Sequence, residues 1–218
     1  MQQMNQTELR EIGAQLRRPD GAKGLEIAES MNESNAGMIS CTIDLLDLSA
    51  GDVILEIGPG NADHVAQLIP PGTEYHGLDI APTMVEEALR RTKNLTERKI
   101  FFQLYDGELL PFADRTFTRI FTVNTIYFWK APVAFLNELH RVLRPGGVAA
   151  ITYAHRSFME ELPFTKWDFT FYDDVSVKQL LDRSPFRSVE FKVHKEMIKA
   201  RTGDLMERNY SVCLLRSE

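Results

Sequence analysis

The residues best suited to chemistry in this chain stand at four places, each at or just after the end of a short apolar run. Val53-Ile54-Leu55-Glu56-Ile57 leads into Gly58-Pro59-Gly60-Asn61-Ala62. Glycine has no Cβ, so the chain can turn sharply at 58 and 60 and a ligand can come close to the backbone. The next run, 74–79, ends in Asp79, at about the 20-residue separation where an acid meets ribose hydroxyls in nucleotide sites. The run 100–104 leads to Asp106-Gly107, and 118–123 leads to Asn124 and the aromatic group Tyr127, Phe128 and Trp129. Singly, each has an ordinary explanation: a G-x-G is a tight turn, and an Asp before Ala81-Pro82 caps a helix. Together, at four successive strand ends, they point to one ligand site.

The elements that must position them alternate. Strands are predicted at 53–57, 74–79, 100–104, 118–123 and 148–153, with helices at 62–69, 82–95 and 132–143 between them. Pro82 suits a first helical turn, and Arg144-Pro145-Gly146-Gly147 stops the last of these helices. Buried strands alternating with helices predict an α/β, Rossmann-like, doubly wound and mostly parallel sheet, with ligands bound beyond the carboxyl ends of its strands. After a helix near 175–183, two strand-like runs at 187–194 and 208–215 have no helix between them and must pair antiparallel. Upstream, residues 1–50 read as three helical stretches, carrying Leu9-Ile12-Leu16, Leu25-Ile27-Met31 and, from near Ser34, Met38-Ile43-Leu46. The expected organisation is a helical lid over 1–50 and one compact binding domain over 51–218.

Bulk properties narrow the function. Of 218 residues 44% are hydrophobic, enough for one well-buried core. The formal net charge of −6 gives no general field for a phosphate backbone, so nucleic acid is not the expected partner. Cys41 and Cys213 are far apart, with neither metal-ligand nor disulfide-framework spacing. The polar start MQQMNQTELR does not read as a signal peptide, and no apolar run approaches a membrane span. A cytoplasmic chain, monomeric or homodimeric and without a metal, is expected.

With these residues in place the chain resembles the class I S-adenosylmethionine-dependent methyltransferases of the type 11 group, which includes ubiquinone and menaquinone C-methyltransferase relatives. The resemblance covers about residues 30–155 and rests on LEIGPGNA, GLDIAPTMVEEA, YDGELLPFADRTFTRIFTVNTIYFW and HRVLRPGG. It implies S-adenosylmethionine as cofactor and a seven-stranded sheet whose last strand inserts as a hairpin. It places Glu56 and the turn Gly58-Pro59-Gly60 against the methionine part, Asp79 on the ribose hydroxyls and Ile80 on the adenine. Asp106 would accept from the adenine amino group, Gly107 would leave room for the ring, and Asn124 would lie near the methionine end. The N-terminal helices would form a lid, and the aromatic insert at 157–175 would shape the acceptor site. Two positions depart from the pattern: Ala62 for a third glycine, costing little if its φ is helical, and Thr118 for a common Asp.

A nicotinamide-binding turn, G-x-G-x-x-G, is the nearest rival. It would put a glycine at 63, where Asp63 stands; that carboxylate would repel a pyrophosphate but tolerate a sulfonium. Methyl transfer needs no fixed catalytic residue. The candidate general bases are His64, Tyr127, Tyr153 and His155, the first two also reading as a helix-end histidine and a packing tyrosine. His140 reads as structural; Asn32 and Asn35 could touch the ligand but read first as helix caps; and the basic run Arg187, Lys192, His194, Lys195, Lys199 and Arg201 could attract an anionic substrate but reads first as a solvated sheet face. The function expected is methyl transfer to a small-molecule acceptor. The alternatives are a non-catalytic module binding S-adenosylmethionine or S-adenosylhomocysteine, and a nicotinamide-dependent reductase.

Overall fold

The computed structural model describes residues 4–199 and 205–217, so Arg201 of the basic run lies outside the described residues. Two helices come first, α1 (Gln6–Arg17) and α2 (Gly21–Leu46). Then follow β1 (Val53–Ile57), α3 (Val65–Leu68), β2 (Glu74–Asp79), α4 (Pro82–Thr92), β3 (Lys99–Leu104) and β4 (Phe117–Val123). The remainder is α5 (Pro132–Val142), β5 (Leu143–Ala154), α6 (Arg156–Glu161), α7 (Asp174–Leu181), β6 (Ser188–Lys199) and β7 (Leu205–Arg216). The seven strands lie in the order β3-β2-β1-β4-β5-β7-β6, the first five parallel and β7 antiparallel to both β5 and β6. The order reverses between β1 and β4, the position where ligands of doubly wound sheets bind.

Alternate residues of the strands serve the two faces, as a period of two requires. Leu55, Ile57, Ile120 and Ile151 pack under α5 and α7, with Leu139 and Val177 among their partners. Ile54, Tyr75, Phe121 and Ala150 pack against α2, α3 and α4 through Met38, Leu46, Val65 and Ala88. Ile54 and Leu55 are both fully buried, which is why these strands read as continuous apolar runs rather than alternating ones.

Three expectations change. The second and third helical stretches are one helix of 26 residues, α2. Asn32 and Asn35 therefore sit inside it and cap nothing; no proline or paired glycine interrupts 31–36, and continuity preserves backbone bonds that a break would lose. Second, the helix expected over 62–69 is the four-residue α3, because Ala62 takes a left-handed φ of 57° and delays the helix start. Third, the C-terminal strands run longer than their alternating cores and pair from Ser188–Arg216 out to Lys199–Leu205. β5 pairs with β7 only from 210 to 216, so the far half of the hairpin projects past the sheet. Among the described residues no helix is long and apolar enough to cross a membrane.

Thr118 has a clear local role. Its hydroxyl donates to Asp52 Oδ1 at 2.7 Å and accepts from the Val53 N–H at 3.0 Å, tying the start of β4 to the start of β1. Asp52 also accepts from the Ser49 N–H, so threonine here completes a small network that aligns the two central strands.

Candidate active site

The turn after β1 is built on positive-φ backbone: Gly58 at 73°, Gly60 at 57° and Ala62 at 57°. A Cβ on Gly58 would stand 2.6 Å from the Thr125 methyl carbon, so that glycine is required by packing as well as by φ. A Cβ on Gly60 would meet nothing within 4 Å, because this part of the backbone faces an open cavity. The helical φ expected at Ala62 is not what the turn uses, and the left-handed conformation costs an L-residue about 1–2 kcal/mol.

Asp79, at the end of β2, reaches under this turn. Its Oδ2 accepts from the Gly60 N–H at 3.2 Å and its Oδ1 from the Ala81 N–H at 2.9 Å. Burial raises its pKa to about 6, against the pull of the Ala81, Gly60 and Ile80 N–H donors. A buried aspartate in a cavity wall, its pKa still raised despite these donors, is suited to accept from hydroxyls of a ligand.

Glu56, in β1, is buried beside it. The Tyr75 hydroxyl donates to Glu56 Oε2, and His64 Nε2 lies 2.8 Å from the same oxygen. Desolvation pulls the His64 pKa down, but the Glu56 charge and hydrogen bond, aided by Asp63, outweigh it and the net shift is upward. His64 is thus neither a surface group nor a simple helix end; it lines the cavity as the partner of a buried carboxylate. Asp63 does not play the part expected of it. Its side chain points to solvent and pairs with Arg91 at 2.6 Å, so it is neutralised away from the cavity. The argument against a pyrophosphate therefore rests on Glu56 and Asp79, not on Asp63.

At the end of β4, Asn124 holds a left-handed φ of 58° and joins three elements. Its Nδ2 donates to Asn35 Oδ1 of α2 at 3.0 Å, while its Oδ1 accepts from the Tyr127 hydroxyl at 2.8 Å and the Ala154 N–H at 3.2 Å. Tyr127 also accepts from the Ala154 N–H at 2.7 Å. Burial holds its phenol well above the ordinary range, and its hydroxyl is engaged with Asn124 and Ala154. Tyr153 donates to Asp174 at 2.7 Å, and His155 contacts Ser211 at 2.8 Å; neither lines the cavity. His140 packs edge-on against Phe186, as a structural histidine does.

One cavity of about 500 Å³ gathers Glu56, Gly58, Pro59, Gly60, His64, Asp79, Ile80, Gly107, Asn124 and Tyr127. Asp106 is not among its walls. It is exposed, and its Oδ1 accepts from the Glu108 and Leu109 N–H groups, closing its own loop. The N-terminal helices roof the cavity with Leu16, Ile27, Ala28 and Met31, and the insert after β5 adds Phe158, Met159, Phe164 and Phe169. Gly13 of α1 lies so close to this insert that a Cβ would meet the Phe164 carbonyl oxygen at 2.7 Å.

The projecting hairpin supplies Ile198, Lys199, Met206 and Arg208, a wall of which the sequence pointed only to Lys199, in its basic run. Arg208 is 2% exposed, donates to Glu196 through Nε at 3.0 Å and Nη2 at 2.6 Å, and holds the Ser34 carbonyl of α2 at 2.6 Å. The sequence marked this residue only as the start of the strand-like run 208–215.

The arrangement suits a nucleoside bearing a positive charge: buried acids and bare glycine backbone at the strand ends. Comparisons with known proteins agree. A family model described as a methyltransferase domain matches residues 55–151. An uncharacterized methyltransferase, YdaC, from Bacillus subtilis is 30% identical over 58% of this chain and 69% of its own length. A fatty-acid O-methyltransferase from Mycolicibacterium smegmatis is 29% identical over 83% of this chain and 62% of its own length. A Haemonchus contortus phosphoethanolamine N-methyltransferase 2, solved with S-adenosyl-L-methionine, superposes with a TM-score of 0.64 at 16% identity, covering 83% of this chain and 52% of that one. The sheet order, the glycine turn with its buried acids and these matches have one reading: the chain belongs to the class I S-adenosylmethionine-dependent methyltransferases, in the type 11 group.

Proposed function

We propose that this enzyme methylates a small, largely apolar acceptor held between the strand ends and the helical roof. The observation that carries the reading is the cavity itself, with an acidic, glycine-backed floor and a wall of Phe128, Trp129, Phe158, Phe164 and Phe169. When bound, S-adenosylmethionine supplies a methyl group made electrophilic by its sulfonium. The chain's task is to hold, orient and keep water out. Asp79 would accept from the ribose hydroxyls, and Ile80 with Gly107 would border the adenine. Asp106 would be left only its Oδ2 for the adenine amino group, since Oδ1 is occupied. Glu56 and the backbone of Gly58-Pro59-Gly60, with Asn124 nearby, would hold the methionine end. Pre-alignment of acceptor and methyl for in-line displacement can supply roughly 7–11 kcal/mol of the barrier. If the acceptor must lose a proton, His64 is the cavity-lining group able to take one, with Glu56 holding its other nitrogen. The similarity to a fatty-acid O-methyltransferase supports an apolar acceptor.

A thermal-shift comparison tests the site. S-adenosylhomocysteine is expected to stabilise the protein and NAD(P) to leave it unchanged, with Asp79→Ala losing the response. Full retention of affinity in that variant would overturn the ribose assignment. Turnover would then be sought across phenols, quinols, amines and carboxylates; no turnover on any of them would favour a binding module instead.

A further inference from the structure

Resting on that reading of the cavity, we propose that the acceptor bears an anionic group and that Arg17 and Lys199 select it. Among the described residues four basic side chains line the cavity: His64, Arg17, Lys199 and Arg208. His64 belongs to the floor and is engaged with Glu56. Arg208 is committed as well, for two of its nitrogens bind Glu196 and it holds both the carbonyl and the hydroxyl of Ser34. Its charge fastens the hairpin to α2 and is not on offer to a ligand. That leaves Arg17, half-buried in the last turn of α1, and the exposed Lys199 at the far end of β6.

Neither Arg17 nor Lys199 forms an ion pair among the described residues. Among the described residues Glu161, exposed on the insert, is the one acid that lines the cavity besides Glu56 and Asp79, so Arg17 and Lys199 outnumber it away from the floor. Arg17 in a last helical turn is also favoured by the helix dipole, which alone would make it an ordinary residue. The second observation is Lys199, brought to the same cavity by the hairpin that overshoots the sheet. The same cavity is lined by apolar side chains, among them Ile198, Met206 and Phe164, and an apolar lining lowers the local dielectric and strengthens attraction to an anion. At the floor, Glu56 and Asp79 repel the same charge. The two ends together orient an amphiphile with its anion outward on the roof side and its other end toward the floor. A carboxylate or another small acidic group has the right chemistry.

The test uses the full chain saturated with S-adenosylhomocysteine, whose binding is measured first, and three probes matched in length: octanoate, 1-octanol and octylamine. Octanoate is expected to bind about tenfold more tightly than 1-octanol, the size of one charge-assisted contact. Octylamine should bind most weakly, and added salt should shrink the octanoate advantage. The double variant Arg17→Gln, Lys199→Gln should bring octanoate to the level of 1-octanol, whereas either change alone should remove part of the difference. Equal or tighter binding of the neutral or cationic probe, or no binding of any probe, would overturn the proposal. A failure of S-adenosylhomocysteine to bind at the outset would instead overturn the reading of the cavity on which it rests.

Discussion

Asp79 is ionised at neutral pH although its surroundings oppose it, so removing its charge should stabilise the empty protein while abolishing its function. Its pKa rises from 3.8 to about 6 through burial. At about 1.4 kcal/mol for each pH unit, the folded empty protein carries roughly 3 kcal/mol of destabilisation at pH 7.5. The sign follows from proton binding. Between these two pKa values the folded state binds more protons than the unfolded one, so stability rises as pH falls from above 6 toward 4. Asp79→Asn removes the charge but also one of the two acceptors serving Gly60 and Ala81, a loss of about 1 kcal/mol. The net expectation is a gain of about 1–2 kcal/mol, or a melting temperature higher by roughly 3–6 °C for a chain of this size. Thermal melts of both proteins from pH 8 to pH 5, with and without S-adenosylhomocysteine, provide the assay. Acidification from 8 to 5 should stabilise the wild type by more than the variant, which keeps the contribution of His64 but not that of Asp79; only the wild type should respond to ligand. A variant that melts lower than wild type at pH 7.5, without ligand, would refute the reasoning.

Ligand affinity in the wild type should fall as pH drops through about 6, because hydroxyl donors prefer the carboxylate; calorimetry across that range checks it. Tyr127→Phe should cost about 1 kcal/mol of stability, since the Ala154 N–H loses the hydroxyl but keeps Asn124 Oδ1 at 3.2 Å, yet keep the shape of the pH–rate profile, as expected of a node and not of a base. Gly37→Ala should gain up to about 1 kcal/mol from helix propensity alone. Because a Cβ there would stand 2.2 Å from Glu196 Oε2, a net loss in chemical denaturation is expected instead, as the Glu196–Arg208 pair is pushed aside.

Much of this molecule was legible because parallel strands buried on both faces leave short unbroken apolar runs. Gly58, Asp79 and Asn124 stand where those runs stop, so chain order located the site without any contact being known. Asp106 shows the limit of that logic: it follows β3 as expected, but its own loop uses its Oδ1 oxygen. Asp63 failed for a different reason. Its partner Arg91 lies 28 residues away, and no local pattern reveals a pairing at that separation. Asn32 and Asn35 were misread because asparagine favours helix ends, a weak preference that tertiary packing overrides. Arg208 could not be found from β7 alone, since its burial depends on α2 lying across the hairpin.

The continuity of α2 has a mechanical consequence. Its C-terminal half is fixed to the sheet by Met38, Ile43 and Leu46 and by the 2.6 Å contact between the Thr42 and Thr152 hydroxyls. Its N-terminal half reaches from Gly37 back to Gly21 above the cavity, about 25 Å at 1.5 Å per residue. A tilt of about 10° about the half fixed to the sheet would carry Gly21 some 4 Å, roughly the thickness of an aromatic ring, and is resisted by Ala28 packed on Met84 and by the Gly21 N–H donating to Thr83 Oγ1. Substitutions beneath Met38 or Thr42, remote from any bound molecule, can therefore change the clearance at the entrance more than substitutions beside it.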